Sequence, residues 1–433
     1  MTAMWQREIE TMPRKALEKL QLERLKWSVQ YSYRNVPFYK AKMDASGIKP
    51  ENIKALSDLQ YLPYTTKEDL RQSYPFGAFA QPRKNLVRLQ GSSGTTGKPT
   101  LVGYTRNDLN IWSDLVARVI VAAGVTSEDV AQISFGYGLF TGALGLHQGL
   151  ERVGAIVVPL SSGNTERQLM MMEDLQTSVL VATPSYGLYL SELIAERGLK
   201  DRLNLRIGLF GSESCSTEAR ETIEQNTGMF VTDNYGMSEL IGPGVAGECQ
   251  LRQGLHVAED HFLPEIISTE NQEILEEGNV GELVMTSLTK EAMPIIRYRT
   301  GDITCINYEP CACGRTHARI DKIKGRVDDM IIVKGVNVFP SQVENAIAGI
   351  ATLSPHYMLV LQRDGVMDSL EVKLELKKHP QLMSCEEKNQ LQTTLQARMR
   401  SMLGLRVKVT LVAPKSLERF QGKAKRVVDL RNI

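Results

Sequence analysis

From about residue 86 onward, short apolar runs alternate along the chain with segments of helical periodicity. "VAQISF", "AIVVPL", "SVLVATP" and "RIGLFGS" are each bounded by Gly, Pro or Ser. Runs that are apolar on both faces predict buried strands, and their alternation with helices predicts a mainly parallel sheet covered by helices. Upstream, residues 15–43 read as an amphipathic helix running into "VPFYKAKM", with a basic face expected to be solvated. The pattern changes after "KGRVDDMIIVKGVNVFP". Helix-like "PSQVENAIAGI", strand-like "SLEVKLELK", a long polar helix over 385–403 and strand-like "LRVKVTLVA" follow, which predicts a separate small α+β domain. Met170 to Met172 lie in a helical pattern and read as packing.

Length and composition narrow the picture. A chain of 433 residues suggests two or three domains. Its 42% hydrophobic and 23% charged content is that of a soluble globular protein. No run approaches the ~18 apolar residues of a membrane span. The N-terminus has scattered charges and lacks the apolar core of a secretory signal, so a cytoplasmic protein is expected. With 51 Lys and Arg against 50 Asp and Glu, no global field favours nucleic acid or an anionic membrane. The expected partner is a small molecule, and a homodimer is left open. Six cysteines without a signal argue for reduced thiols, so a cluster reads first as metal binding or packing.

The chemistry begins with "LQGSSGTTGKPTLVGYT" at 89–105. Ser92, Ser93, Thr95 and Thr96 offer hydroxyls, Gly94 and Gly97 let a backbone approach closely, and Lys98 adds charge. The loop is not a Walker loop. Five residues separate Gly91 from Gly97, and Pro99 follows Lys98 where a magnesium-binding Ser or Thr is required. Alone it would read as a turn between strands.

Further on come "FGSES" at 210–214, "DNYGMSEL" at 233–240, "RYRTGD" at 297–302, "KGRVDD" at 324–329 and "GKAKR" at 422–426. In this order they resemble the acyl-adenylate-forming superfamily. "FGYGLFTGALGLHQG", "GPGVAGEC", "GLHVAEDHFLPEI" and "CACGRTH" narrow the resemblance to the phenylacetate–coenzyme A ligase family, over nearly the whole chain. One departure is that Thr100 follows Pro99 where many superfamily members carry a second lysine.

The resemblance implies a large α/β domain, residues 1–327, with mainly parallel sheets flanked by helices. A small mobile α+β domain, 328–433, follows it. It implies a cytoplasmic enzyme that joins a carboxylic acid, most readily an aryl acid of the phenylacetic type, to ATP. Pyrophosphate leaves, and coenzyme A displaces AMP from the acyl-adenylate. The alternatives are transfer of the acyl or AMP group to another acceptor, and a catalytically silent nucleotide-binding protein.

Residue roles are carried over in the same way. Glu239 would hold Mg2+, for which a hard oxygen ligand is suited, although a carboxylate at a helix start would look the same. Asp302 would accept from the ribose hydroxyls, and Gly211, Ser212, Glu213, Asn234, Tyr235, Gly236, Met237 and Ser238 would line the nucleotide. Lys423 would bridge carboxylate and α-phosphate, with Lys425 two residues away as the other choice. Arg326 would face phosphate, Asp328 would be the hinge, and Tyr137 and Phe140 would line the aryl pocket, where core packing is the plainer reading.

Cys249, His256, Cys311 and Cys313 form a second constellation outside zinc-finger spacing. Two loops would have to converge to bring them together. Converged, they would suit a closed tetrahedral zinc site of structural type; buried free thiols are the equal alternative. His261 and His317 are the substitutes if His256 points away.

Overall fold

The apolar runs form the parallel half of one nine-stranded sheet. Strands Ile156–Val158, Val130–Ile133, Val179–Ala182, Ile207–Gly211 and Phe230–Met237 lie side by side in parallel. The sheet then turns antiparallel through Gly242–Glu248, Leu255–Val257, Arg319–Ile320 and Ile306–Asn307. The computed structural model describes residues 3–92, 99–327, 331–333, 336–364, 367–420 and 424–431.

Helices Arg106–Ala123 and Thr141–Val153 cover one face and join the largest core, in which Trp112, Tyr104, Ile133, Val181 and Leu209 are buried. Pro184–Glu196 and Thr217–Thr227 belong to a second core around Phe210 and Tyr186. A further antiparallel sheet comprises Phe262–Ile267, Gly281–Ser287, Tyr298–Thr304 and Gly325–Arg326. A two-stranded hairpin, Arg88–Gly91 with Leu101–Tyr104, carries the loop of 92–100 at its end.

The C-terminal domain has its own sheet, in the order Lys408–Val412, Met367–Leu376, Leu353–Asp364 and Val427–Asp429. Helices Pro340–Ile347 and Cys385–Leu403 pack on it, with a core that includes Leu359, Val372, Leu395 and Met399. This is the expected α+β unit.

Two expectations are corrected in detail. The helix read over 15–43 is two helices, Arg14–Asn35 and Pro37–Ala45. Val36 takes an extended conformation, as a residue before proline is driven to do. Its basic face is only partly solvated. Lys15, Lys19 and Lys26 are exposed, but Arg14 makes two bonds to Glu259 and Arg24 reaches Asp260. Of the three methionines, Met172 is fully buried whereas Met170 is 51% exposed. Among the described residues no helix is long and apolar enough to cross a membrane.

A buried ion pair fixes helix Arg106–Ala123 to the sheets. Arg118 grips Asp260 through both carboxylate oxygens, at 2.6 and 2.9 Å, and His261 stands 3.1 Å from the same carboxylate. Burial alone would raise the Asp260 carboxyl, but His261 and Arg118 overcome it and hold it well below the usual range. Arg118→Ala leaves that buried charge short of a partner and should cost about 3 kcal/mol or more, read from urea unfolding.

Candidate functional site

Strand Phe230–Met237 carries the "DNYGM" residues to the edge where the sheet changes direction. Asn234 pairs with Gly211 of the neighbouring strand, and its amide donates to the Phe210 carbonyl at 2.6 Å. Gly211 has no room for a side chain, since a Cβ would stand 2.7 Å from Asn234 Oδ1. Ser212 follows with a left-handed φ of 72°, which turns the chain so that Glu213 accepts from Ser185 Oγ.

Tyr235 points across to the second sheet. Its hydroxyl donates to Asp302 Oδ2 at 2.6 Å, while Arg326 donates to Asp302 Oδ1 at 2.5 Å and to the Thr300 carbonyl at 3.1 Å. Asp302 and Arg326 are cross-strand partners, so the sheet register itself brings them together. Burial, reinforced by the Asp302 charge, pushes the Tyr235 phenol well up, so it remains a donor.

Met237 ends the strand, and Ser238, Glu239, Leu240 and Ile241 form a buried turn. Side chains from elsewhere hold it. Lys290 donates to the Glu239 carbonyl at 2.8 Å, Tyr104 to the Ile241 carbonyl at 3.0 Å, and Trp112 to the Pro243 carbonyl at 2.8 Å. Thr141 and Ser238 join hydroxyl to hydroxyl at 3.1 Å. Lys290 is fully enclosed; burial lowers its ammonium to about 8, against the pull of Asp108 and Glu239. The sequence reading missed Lys290, because a lysine between two strands ordinarily reads as solvated.

The loop around Tyr137 and Phe140 lies against the base of the glycine-rich loop. Gly91 donates to the Leu139 carbonyl at 2.8 Å and the buried Gln90 amide to the Phe140 carbonyl at 3.1 Å. Ser92 and Thr100 close that base, backbone to backbone, at 3.0 Å. Tyr137 and Phe140 are partly buried against the main core, and the Tyr137 hydroxyl meets His147 Nδ1 at 3.0 Å. Ser93, Gly94, Thr95, Thr96, Gly97, Lys98, Asp328 and Lys423 lie outside the described residues. Lys425 is exposed, and between it and Lys423 the Ala424 amide donates to Glu213 Oε1 at 2.6 Å.

The two cysteine segments do converge. The ligand atoms of Cys249, His256, Cys311 and Cys313 all lie within 4.8 Å of one another, and all four residues are buried. Cys249 and Cys311 sulfurs are 4.0 Å apart, and Cys313 sulfur is 3.6 Å from His256 Nε2. Ligands at tetrahedral zinc distances stand about 3.8 Å from one another. His261 is engaged by Thr289 and Asp260, and His317 by the Val257 and Ile9 carbonyls, so neither substitutes for His256. The bond to His256 is the largest influence on Cys311 and that to Cys249 on Cys313, and both thiols are shifted toward thiolate.

Gly236 sets the distance between strand Phe230–Met237 and its return. A Cβ there would fall 1.9 Å from the Gly242 carbonyl oxygen, a backbone atom that cannot rotate away. Gly236→Ala should part the strands and lower stability by about 2 kcal/mol, measured as a shift in the urea midpoint.

Comparison with known proteins accords with this arrangement. Residues 14–289 match the AMP-binding enzyme family and residues 335–431 the AMP-binding enzyme C-terminal domain. The chain is 45% identical to the phenylacetate-coenzyme A ligase of Thermus thermophilus, over 99% of this chain and 100% of that one. It is 47% identical to that of Escherichia coli, over 98% and 97%. The fold superposes on 2-hydroxyisobutyryl-CoA ligase, 28% identical, over 98% of this chain and 92% of that one. The TM-score is 0.90 for the postadenylation state of that enzyme and 0.72 for its thioesterification state. The chain therefore belongs to the phenylacetate–coenzyme A ligase family of AMP-binding enzymes.

Proposed function

We propose that this ATP-dependent acid–coenzyme A ligase takes phenylacetate or a close arylacetic acid. The observation that carries the reading is the hydrogen-bonded contact between the base of the glycine-rich loop and the Tyr137–Phe140 segment. It sets the backbone of that aromatic segment beside the base of the motif that would receive phosphate. In the first step a carboxylate oxygen attacks the α-phosphorus and pyrophosphate leaves. In the second the thiol of coenzyme A attacks the acyl carbon, and AMP leaves with the bonding electrons.

Residue roles follow the chemistry. Asp302 accepts from the ribose hydroxyls while Tyr235 and Arg326 hold its carboxylate in place. Gly211, Ser212, Glu213 and Asn234 to Ser238 line the nucleotide. Ser92 to Lys98 grip the leaving pyrophosphate. Glu239 is the oxygen donor for Mg2+, which when bound offsets phosphate charge. Lys423 serves the adenylating step, and Asp328 is the hinge at the junction of 1–327 with 328–433. For zinc, the donor set is three sulfurs and an imidazole around one point, and His256 Nδ1 and Nε2 are free of any oxygen partner. That set fits a closed structural site.

A panel of aryl, arylacetic, indolic and fatty acids, assayed for AMP release with coenzyme A, tests the substrate. Phenylacetate should give the highest kcat/KM; a preference for fatty acids overturns the reading. Asp302→Asn should raise the KM for ATP about tenfold or more, as loss of a charged hydrogen-bond acceptor does, with the KM for phenylacetate little changed.

Elemental analysis should find about one zinc per chain. Cys311→Ser should then lower zinc content and melting temperature together. Equally stable, metal-free wild-type protein would discard the site.

A further inference from the structure

Several contacts of the small domain gather along one stripe of one helix of the large domain. On Pro184–Glu196, residues Ser185, Glu192 and Glu196 are seven and eleven positions apart, close to whole numbers of helical turns, so they face the same way. Each is engaged in a contact that leads to the small domain. Ser185 donates to Glu213, whose other oxygen accepts from the Ala424 amide at 2.6 Å. Glu196 pairs with Lys415 at 2.6 Å, an exposed contact at the rim.

Glu192 lies between them and makes the most enclosed contact. Its Oε1 meets His356 Nε2 at 2.8 Å, and its Oε2 accepts from Arg419 Nε at 3.3 Å. His356 belongs to strand Leu353–Asp364 of the small domain. Arg419 is itself fixed by two bonds, of 2.9 and 2.6 Å, to Glu375 on the adjacent strand. The side chains of His356 and Arg419 are 14% and 13% exposed, so this charge cluster is screened less than the rim pair. Arg419 and Ala424 flank residues 421–423, and both flanks are thus bonded to the large domain.

We propose that Glu192 is a positioning residue for the first half-reaction. Shared between His356 and Arg419, its carboxylate holds the small domain on the large one in the arrangement used to form the acyl-adenylate. The proposal rests on the ligase reading above. It agrees with the TM-scores of 0.90 and 0.72 against the postadenylation and thioesterification states of the same relative. The lower score against the thioesterification state accords with a different placement of the small domain there, so the latch serves one step and opposes the next. A polar contact between half-buried side chains suits that duty, because its hydrogen bonds can be exchanged for water.

The test is Glu192→Gln, which keeps the size and removes the charge. Adenylation, followed as phenylacetate-dependent ATP–pyrophosphate exchange, should fall by about fivefold or more. Thioester formation from supplied phenylacetyl-AMP and coenzyme A should be unchanged or faster. His356→Gln should split the half-reactions in the same direction, and Lys415→Ala should alter neither. Hydrogen exchange at the Ala424 amide of the ligand-free protein should quicken in Glu192→Gln, a readout that needs no substrate. Equal loss of both half-reactions, or unchanged rates with unchanged exchange, overturns the latch. If wild-type protein fails to adenylate phenylacetate, the substrate reading falls, and exchange at Ala424 alone decides the latch.

Discussion

The structure depends on satisfying the backbone of one buried turn. Where the sheet changes from parallel to antiparallel, Ser238 to Ile241 are enclosed and their carbonyls have no strand beside them. A buried carbonyl without a donor costs about 1–3 kcal/mol, so side chains must supply what the ladder does not. Lys290 and Tyr104 come from two different segments to do so, and Trp112 donates to the Pro243 carbonyl just beyond the turn. The burial of an ammonium at Lys290 is tolerable because Asp108 and Glu239 lie close by, though burial still lowers its proton affinity. Glu239 is consequently presented from a rigid base.

The same economy governs the second junction. Cross-strand register alone sets Arg326 against Asp302, and the sheet edge brings Tyr235 to the other oxygen. Three motifs far apart in sequence thus meet at one carboxylate. The Cys/His cluster lies toward the far end of the same sheet, with His256 on strand Leu255–Val257. Beside it Arg315 pairs with the buried Glu10 and also donates to the Ala3 carbonyl, so the N-terminal segment is tied to the "CACGRTH" loop.

The contacts between the domains have a different character. Within each domain, apolar cores carry the packing, around Trp112 and Phe210 in the large domain and Leu395 in the small one. The described hydrogen bonds from Glu192 and Glu213 to the small domain are concentrated in these two side chains. Apolar cores resist rearrangement because they are densely packed, whereas a few hydrogen bonds can be exchanged for water.

What the sequence by itself determined is what is local. The four apolar runs became parallel strands and the polar pattern over 385–403 became helix Cys385–Leu403, because period and length act within a few residues. The glycine-rich strand Gly242–Glu248 and the strand Leu353–Asp364 were not legible, since one lacks side chains to show a pattern and the other pairs through long-range register. The motifs picked the candidate nucleotide residues and His256 as the cysteines' partner, but no spacing could show that Tyr235 and Arg326 share Asp302. Nor could it mark the buried Lys290 or the half-buried Glu192, whose partners come from distant segments. Those were decided by tertiary structure, because a charged side chain acquires its meaning from partners dozens to hundreds of residues away.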